Sequence, residues 1–272
     1  MKNPIINELL KLKLINKTNF ITLNNKTRDK NIKVIKDFKT KIIFLEKYLT
    51  SKYPITPKDE IEDLRRVNQF KKILKNKHVL DFGCSWGGFL RRIKNFKSLN
   101  GLEKRKECIS YVKRKFKNIK ITDDVNKLNR KFDIITAFHV LEHIPYQVDT
   151  LKILKSKLNN KGKIIIEVPH AEDFLILQDE LKDFKNFTFW SEHLILHTHK
   201  SLKSILLKSG FKNIKIQYFQ RYNFSNHLGW FLRRKPGGHN FFKKIVSDRL
   251  NSSYCDNLKK LGQTDTLIAI AE

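Results

Sequence analysis

Cysteine, proline and glycine are scarce in this chain of 272 residues, with three, six and ten copies. Cys84, Cys108 and Cys255 lie far apart and no CxxC pair occurs. That spacing argues against a disulfide framework, a zinc knuckle or an iron–sulfur cluster, and it fits a reducing compartment. So little Gly and Pro excludes collagen-like and linker-like chains, and twenty Phe argue against disorder. Nowhere is there an apolar run near the ~20 residues that a membrane span needs. The N-terminal stretch MKNPIINELLKLKLINK carries charges where a signal peptide has an apolar centre. A cytoplasmic protein without a membrane span is expected. No pattern speaks to oligomeric state.

Negative charge is also short: 27 Asp plus Glu stand against 56 Lys plus Arg, a net charge of +29. Such a surplus raises nucleic acid or an anionic surface as a partner. Lysine supplies most of it and is spread along every segment, alongside abundant Asn and Ile. Only a clustered field steers or grips a polyanion. The expected reading is a solvated basic surface, with nucleic-acid binding kept as the alternative.

Residues 1–58 form a basic N-terminal appendage in which KIIFLEKYL suggests an amphipathic helix and YPITP marks an end. From Asp59 the pattern EIEDLRRVNQFKKIL has helical spacing, and the period then changes. HVLDF, SLNGLE, NIKITDD, FDIITAF and GKIIIEVP read as strands. FLRRIKNF, KECISYVKRKF and QVDTLKILKSKL between them read as helices. This alternation predicts an α/β domain with a parallel sheet over 59–219. HKSLKSILLKSGF (helix), NIKIQYF (strand) and DTLIAIAE (strand) close the chain. Residues 220–264 are too long for a hairpin loop and form an insertion before the final strand, 265–272.

VLDFGCSWGGFL, residues 79–90, is a strand entering a glycine-rich turn and then a helix. Glycines let the backbone approach a ligand, and a helix start offers free N–H groups. Glu103 ends the next strand, where a carboxylate can accept both hydroxyls of a ribose. Asp81, two residues before the first glycine, would repel a pyrophosphate but suits an ammonium or sulfonium. An adenosine-containing cofactor is thus the leading ligand expected.

DFGCSWGGFL resembles the first motif of class I S-adenosylmethionine-dependent methyltransferases. GLE matches their ribose-binding strand end, TDDV their adenine loop, and FDIITAFHVLEHI their fourth-strand motif. The resemblance covers about Asp59 to Phe219. It implies a Rossmann-like sheet of seven strands with the last antiparallel, and S-adenosyl-L-methionine as cofactor. It further implies that Asp81, Gly83, Ser85, Gly87, Glu103, Asp124, Val125, Phe138 and His139 bind that cofactor. Ser85 departs from the pattern, since many members carry Gly there. WSEHLILHTHKSL is similar to small-molecule methyltransferases, including the ubiquinone-type O-methyltransferases and others that act on sugars. QRYNFSNHLGWFLRRKPGGH resembles a stretch of methyltransferases associated with surface polysaccharides.

Methyl transfer to a hydroxyl needs a base, and His is the usual one near neutral pH. Of the nine histidines, His143 after the fourth strand and His193 after the fifth are the candidate catalytic pair. His197, Arg221, Tyr222, His227, Lys235 and His239 are the candidate acceptor contacts. Arg and Lys beside Gly237 and Gly238 suit a phosphate or carboxylate. His193, His197 and His199 make an H-x3-H-x-H string without the partners of a strong zinc site, so no metal is expected. The expected activity is methyl transfer to oxygen of a small-molecule or carbohydrate acceptor, in metabolite or surface-glycan biosynthesis. An RNA methyltransferase, or an RNA-binding relative of one, is the alternative. No D/N-P-P-Y-type motif and no Pro-Cys pair supports base methylation.

Overall fold

The computed structural model describes residues 2–49, 61–242 and 244–272. The N-terminal part comprises α1 (Pro4–Lys11), β1 (Phe20–Asn24), β2 (Val34–Asp37) and β3 (Ile43–Leu45). After the described stretch resumes come α2 (Ile61–Leu74), β4 (His78–Phe82), β5 (Ser98–Leu102), α3 (Lys106–Lys115), β6 (Ile119–Thr122) and β7 (Phe132–Phe138). Then follow α4 (Gln147–Ser156), β8 (Leu158–Pro169), α5 (Phe174–Leu177), α6 (Lys182–Thr188), β9 (Ile195–Leu196), α7 (His199–Lys208) and β10 (Lys215–Phe219). The chain closes with α8 (Phe224–Arg233), α9 (Gly238–Phe241), α10 (Asp248–Leu261) and β11 (Thr266–Ala271).

The central sheet has seven strands in the order β10-β11-β8-β7-β4-β5-β6. Strands β4 to β8 are mutually parallel, and β11 runs antiparallel between β8 and β10. This is the α/β, Rossmann-like sheet that the sequence predicts, with its final strand inserted against the direction of its neighbours. Successive strand residues face opposite sides, so each strand feeds two cores. Leu80, Ile135, Ile164 and Leu267 pack on one face with Leu151 of α4 and Ile205 of α7. Val79, Ile134, Ile165 and Ile268 pack on the other with Phe70 and Leu74 of α2 and Val112 of α3.

Two local expectations fail. The KIIFLEKYL stretch supplies β3 rather than a helix, because Ile43 and Phe44 pair with Leu196 and Ile195 of β9. Propensity yields here to an open strand edge far along the chain. FLRRIKNF forms only a 3-10 turn, Leu90–Arg92, and not a full helix. The YPITP boundary lies outside the described residues. The N-terminal part is no separate body: Ile5, Leu9, Ile42 and Phe44 belong to the same core cluster as Leu80 and Ile135.

Candidate active site

At the C-terminal ends of β4, β5 and β7 the chain opens a cleft of about 1000 Å3. Open α/β sheets bind ligands at this edge. Its wall at β4 is the turn after Phe82. Gly83 adopts φ +76, and a Cβ there would strike the Val140 side chain. Ser85, at φ +48, holds a left-handed conformation that glycine adopts more cheaply. That conformation explains why the related motif carries Gly there. It also points the Ser85 N–H at Glu103 Oε2, 2.9 Å away.

Glu103 is buried and held in place by backbone and guanidinium donors. Its Oε1 accepts the backbone N–H groups of Lys104 and Arg105 at 2.9 and 3.0 Å. The Arg105 guanidinium contacts both oxygens at 3.2 Å. Burial disfavours the carboxylate, but Arg105 and the backbone donors outweigh it and the pKa is lowered. Asp81 differs. Burial pushes its carboxyl up to about 7, although the Thr136 hydroxyl favours the ionised form. Two acids of one cleft therefore differ in charge state near neutrality, a hallmark of functional sites.

The opposite end is a buried charge network. His139, at φ +52, presents Nδ1 to Glu142 Oε1 at 3.0 Å and Nε2 to Glu167 Oε1 at 3.2 Å. Burial and the Arg221 guanidinium, 2.8 Å from Nε2, disfavour the imidazolium. The two carboxylates outweigh them and raise its pKa. Glu167 also accepts from Arg65 Nη2 at 2.8 Å and from Arg66 Nη2 at 2.8 Å. Burial opposes its ionisation, yet His139 and Arg66 hold its pKa far below the usual carboxylate range. Glu142 is fully buried, and against that burial His139, His143 and His193 bring its pKa down to about 2.

Residues 58–216 match a family model described as a methyltransferase domain. The chain belongs to this family. Its methyltransferase domain has the class I fold: a S-adenosylmethionine-dependent methyltransferase from Archaeoglobus fulgidus superposes with a TM-score of 0.51 at 21% identity, over 79% of this chain and 94% of that one. An uncharacterised protein of Methanocaldococcus jannaschii is 33% identical over 40% of this chain and 48% of its own length. A tRNA U34 carboxymethyltransferase of Nautilia profundicola is 30% identical over 52% of this chain and 50% of its own. The chain spans about half the length of the curated relatives it matches.

S-adenosylmethionine is the cofactor of such domains, and the residues of this cleft fit it. Glu103 keeps its charge, Asp81 can hold a cation, and Gly83 leaves room where a side chain would collide. Trp86 lines the cleft with a buried Nε1 that has no hydrogen-bond partner among the described residues. A buried unpaired N–H awaits an acceptor. Bound here, the cofactor supplies a methyl group carried on a sulfonium centre.

Of the expected cofactor residues of this methyltransferase domain, Asp81, Gly83, Ser85, Glu103, Phe138 and His139 line the cleft. Gly87 does not line it; it has φ +74, and a Cβ there would crowd Val112. Asp124 caps a 3-10 turn by accepting from Asn126 N–H, and Val125 packs on the core. Neither is among the lining residues. Lys104, Arg105 and Lys106 stand there instead.

Among the expected acceptor residues, His143 and Arg221 line the cleft. His193 lies directly behind, its ring centroid 5.0 Å from that of His143. Loss of hydration and neighbouring His143 push its pKa down to about 3. His197 is fully buried, bonded through Nδ1 to Ser201 Oγ at 3.1 Å. His227 is not among the lining residues; it sits between Gln220 and Tyr254 and stacks on Phe174 of α5. Burial lowers both to about 4. Tyr222, Lys235 and His239 are exposed and not among the lining residues. The insertion therefore contributes mainly through Arg221.

Sequence reasoning missed Glu142, Glu167, Arg66, Arg105, Trp86 and Trp190. Glu142 sits inside the quoted HVLEHI motif and Glu167 ends the fifth-strand pattern IIIEVP. An ionisable residue within an apolar strand run demands a buried partner. The adjacent Arg65 and Arg66 of α2 meet that demand.

Proposed function

We propose that the chain transfers a methyl group from S-adenosylmethionine to an oxygen of a small-molecule or carbohydrate acceptor. The observation that carries this reading is the pairing, in one cleft, of the acids Asp81 and Glu103 at one end with His143 and Arg221 at the other. In-line displacement depends on positioning and charge placement. Asp81 and Glu103 bind and orient the cofactor's ammonium and ribose. The His143–His193 pair serves the proton of the acceptor hydroxyl. Tyr48 and Trp190 on the cleft wall give a sugar ring a face to stack on. Arg66 and Arg221 make an acceptor bearing phosphate or carboxylate the favoured kind. The role proposed for this activity is in metabolite or surface-glycan synthesis in the cytoplasm. No helix among the described residues is long and apolar enough to cross a membrane.

A second reading, methylation or binding of RNA, has two supports: the net charge of +29 and the resemblance to a tRNA U34 carboxymethyltransferase. The cleft wall is aromatic and narrowly cationic rather than a long basic groove, so the small acceptor is preferred. Calorimetric titration with S-adenosylhomocysteine, NAD and a short RNA separates the readings. Tight binding of the first alone supports the proposal. Salt-sensitive RNA binding, with methyl transfer from labelled cofactor to RNA and to no hydroxyl compound, overturns it.

A further inference from the structure

His143 and His193 do not stand alone. One ligand atom from each of Glu142, His143 and His193 lies within 4.8 Å of the others. Glu142 is 0% exposed. Its Oε1 is engaged by His139 Nδ1, while Oε2 is buried with no hydrogen-bond partner among the described residues. A fully buried carboxylate oxygen without a donor is costly unless something positive meets it.

The tautomer of His143 follows from its neighbour. Nδ1 lies 2.9 Å from the Glu192 backbone carbonyl, which only accepts, so Nδ1 carries the proton and the lone pair is on Nε2. Ligating imidazoles are typically oriented this way, with one nitrogen donating to a carbonyl and the other left for the ion. The loop bearing His193 is tied to the same turn from both sides, since Leu194 N–H donates to the Glu142 carbonyl at 2.8 Å and His143 Nδ1 meets the Glu192 carbonyl. Residues about fifty positions apart are thus clamped together by one backbone bond and one imidazole–carbonyl bond rather than meeting by chance on a surface.

We propose that Glu142, His143 and His193 form a binding site for one divalent transition-metal cation of the Zn2+ class, open to the cleft on the His143 side. The proposal deepens the acceptor-side reading above and rests on it for its role in the reaction. Two imidazoles and one carboxylate, with a fourth position open, are the donor set of catalytic zinc sites. Imidazole favours Zn2+ and its neighbours over Mg2+ or Ca2+. The carboxylate oxygen that lacks a donor, and the imidazole lone pair, gain a partner in the ion. Its open position takes the acceptor oxygen and lowers the proton affinity of the bound hydroxyl, whose proton leaves to solvent; the oxygen then forms the bond to the methyl carbon as the S–CH3 bond breaks and S-adenosylhomocysteine departs as a neutral thioether. The two histidines then act through the ion rather than as free bases. The expectation of no metal was drawn from His193, His197 and His199; the fold sends His197 to Ser201 and joins His193 to the fourth-strand turn instead.

The test uses the untagged full chain, stripped with a chelator, and Zn2+ alone as probe, titrated against a chromophoric zinc chelator. Co2+ loading, read by its visible absorption, reports ligand geometry. One equivalent should bind. His143→Ala and His193→Ala should each weaken binding by about 100-fold or more, as expected for loss of a direct ligand rather than of an outer partner. S-adenosylhomocysteine affinity in the same variants, unchanged, certifies that they are folded. No saturable Zn2+ binding, or binding that survives in both variants, overturns the site. Full methyl transfer to a hydroxyl acceptor by the metal-free chain overturns the ion's role and leaves the acceptor reading standing. One bound Zn2+ lost in both variants, with no hydroxyl acceptor methylated, supports the site and overturns the acceptor reading.

Discussion

Thr136 Oγ1 donates a 2.7 Å hydrogen bond to Asp81 Oδ1 across the parallel pair β4–β7. The bond fixes a cleft acid whose charge is undecided at neutral pH, its pKa lying at about 7. Below that value the carboxyl is neutral, and above it the carboxylate can hold an ammonium. Cofactor binding at Asp81 must therefore release a proton at low pH. S-adenosylhomocysteine affinity should fall about tenfold per pH unit below 7 and level off above it. Calorimetry at several pH values checks the profile, and Asp81→Asn should flatten it at weak affinity. A wild-type profile that is flat between pH 6 and 8 would sink the assignment.

Glu103 is the other handle. Replacing it by Ala removes a charge-assisted acceptor worth about 1.5–3 kcal/mol, which corresponds to roughly 10- to 100-fold in affinity. Glu103→Gln keeps the shape and tests charge alone. Both should weaken S-adenosylhomocysteine binding in a titration, Ala more than Gln. Unchanged affinity in both refutes the ribose role.

The turn after β4 predicts opposite signs at two nearby positions. Gly83→Ala forces a side chain into a left-handed backbone and into Val140, and should cost on the order of 2 kcal/mol or more. Ser85→Gly relieves the same kind of backbone without creating a cavity in the core. It should be neutral or stabilising by up to about 1 kcal/mol. Denaturant unfolding of both variants reads the difference, and a loss of stability in Ser85→Gly contradicts this account of the turn.

Glu167 is fully buried and receives Arg65, Arg66 and His139. Removing it as Glu167→Ala leaves those cations uncompensated, at a cost of about 3–5 kcal/mol. The expected outcome is a large drop in the unfolding midpoint, with Arg66→Ala also destabilising. Since the two residues share one network, the double variant should lose less than the sum of the singles. Additive losses would show that the network does not act as a unit.

Much of this protein is readable without coordinates because it is local. The alternation of short apolar runs with helical spacing specifies the strands β4 to β8 and the helices α3, α4 and α7, each set by residues within a dozen positions. The glycine turn with Asp81 before it and Glu103 one strand later is legible for the same reason, since a parallel β4–β5 pair brings those two strand ends together. FLRRIKNF has apolar spacing that allows a helix, yet only Leu90–Arg92 turns, as a 3-10 segment without a side-chain cap.

What the sequence by itself determined is therefore the order of the elements, the class of sheet and the acid pair that marks the cofactor end. Only the tertiary structure decided which histidines share the cleft. His193, His197 and His227 carry the same side chain at similar distances from apolar neighbours, and nothing local separates them. Pairing of β3 with β9 and the bond from Leu194 N–H to the Glu142 carbonyl turn the first toward His143. Packing of α7 buries the second, and Gln220, Tyr254 and Phe174 enclose the third. Burial and long-range backbone pairing depend on the whole chain closing at once, so the roles of these residues exist only in the fold.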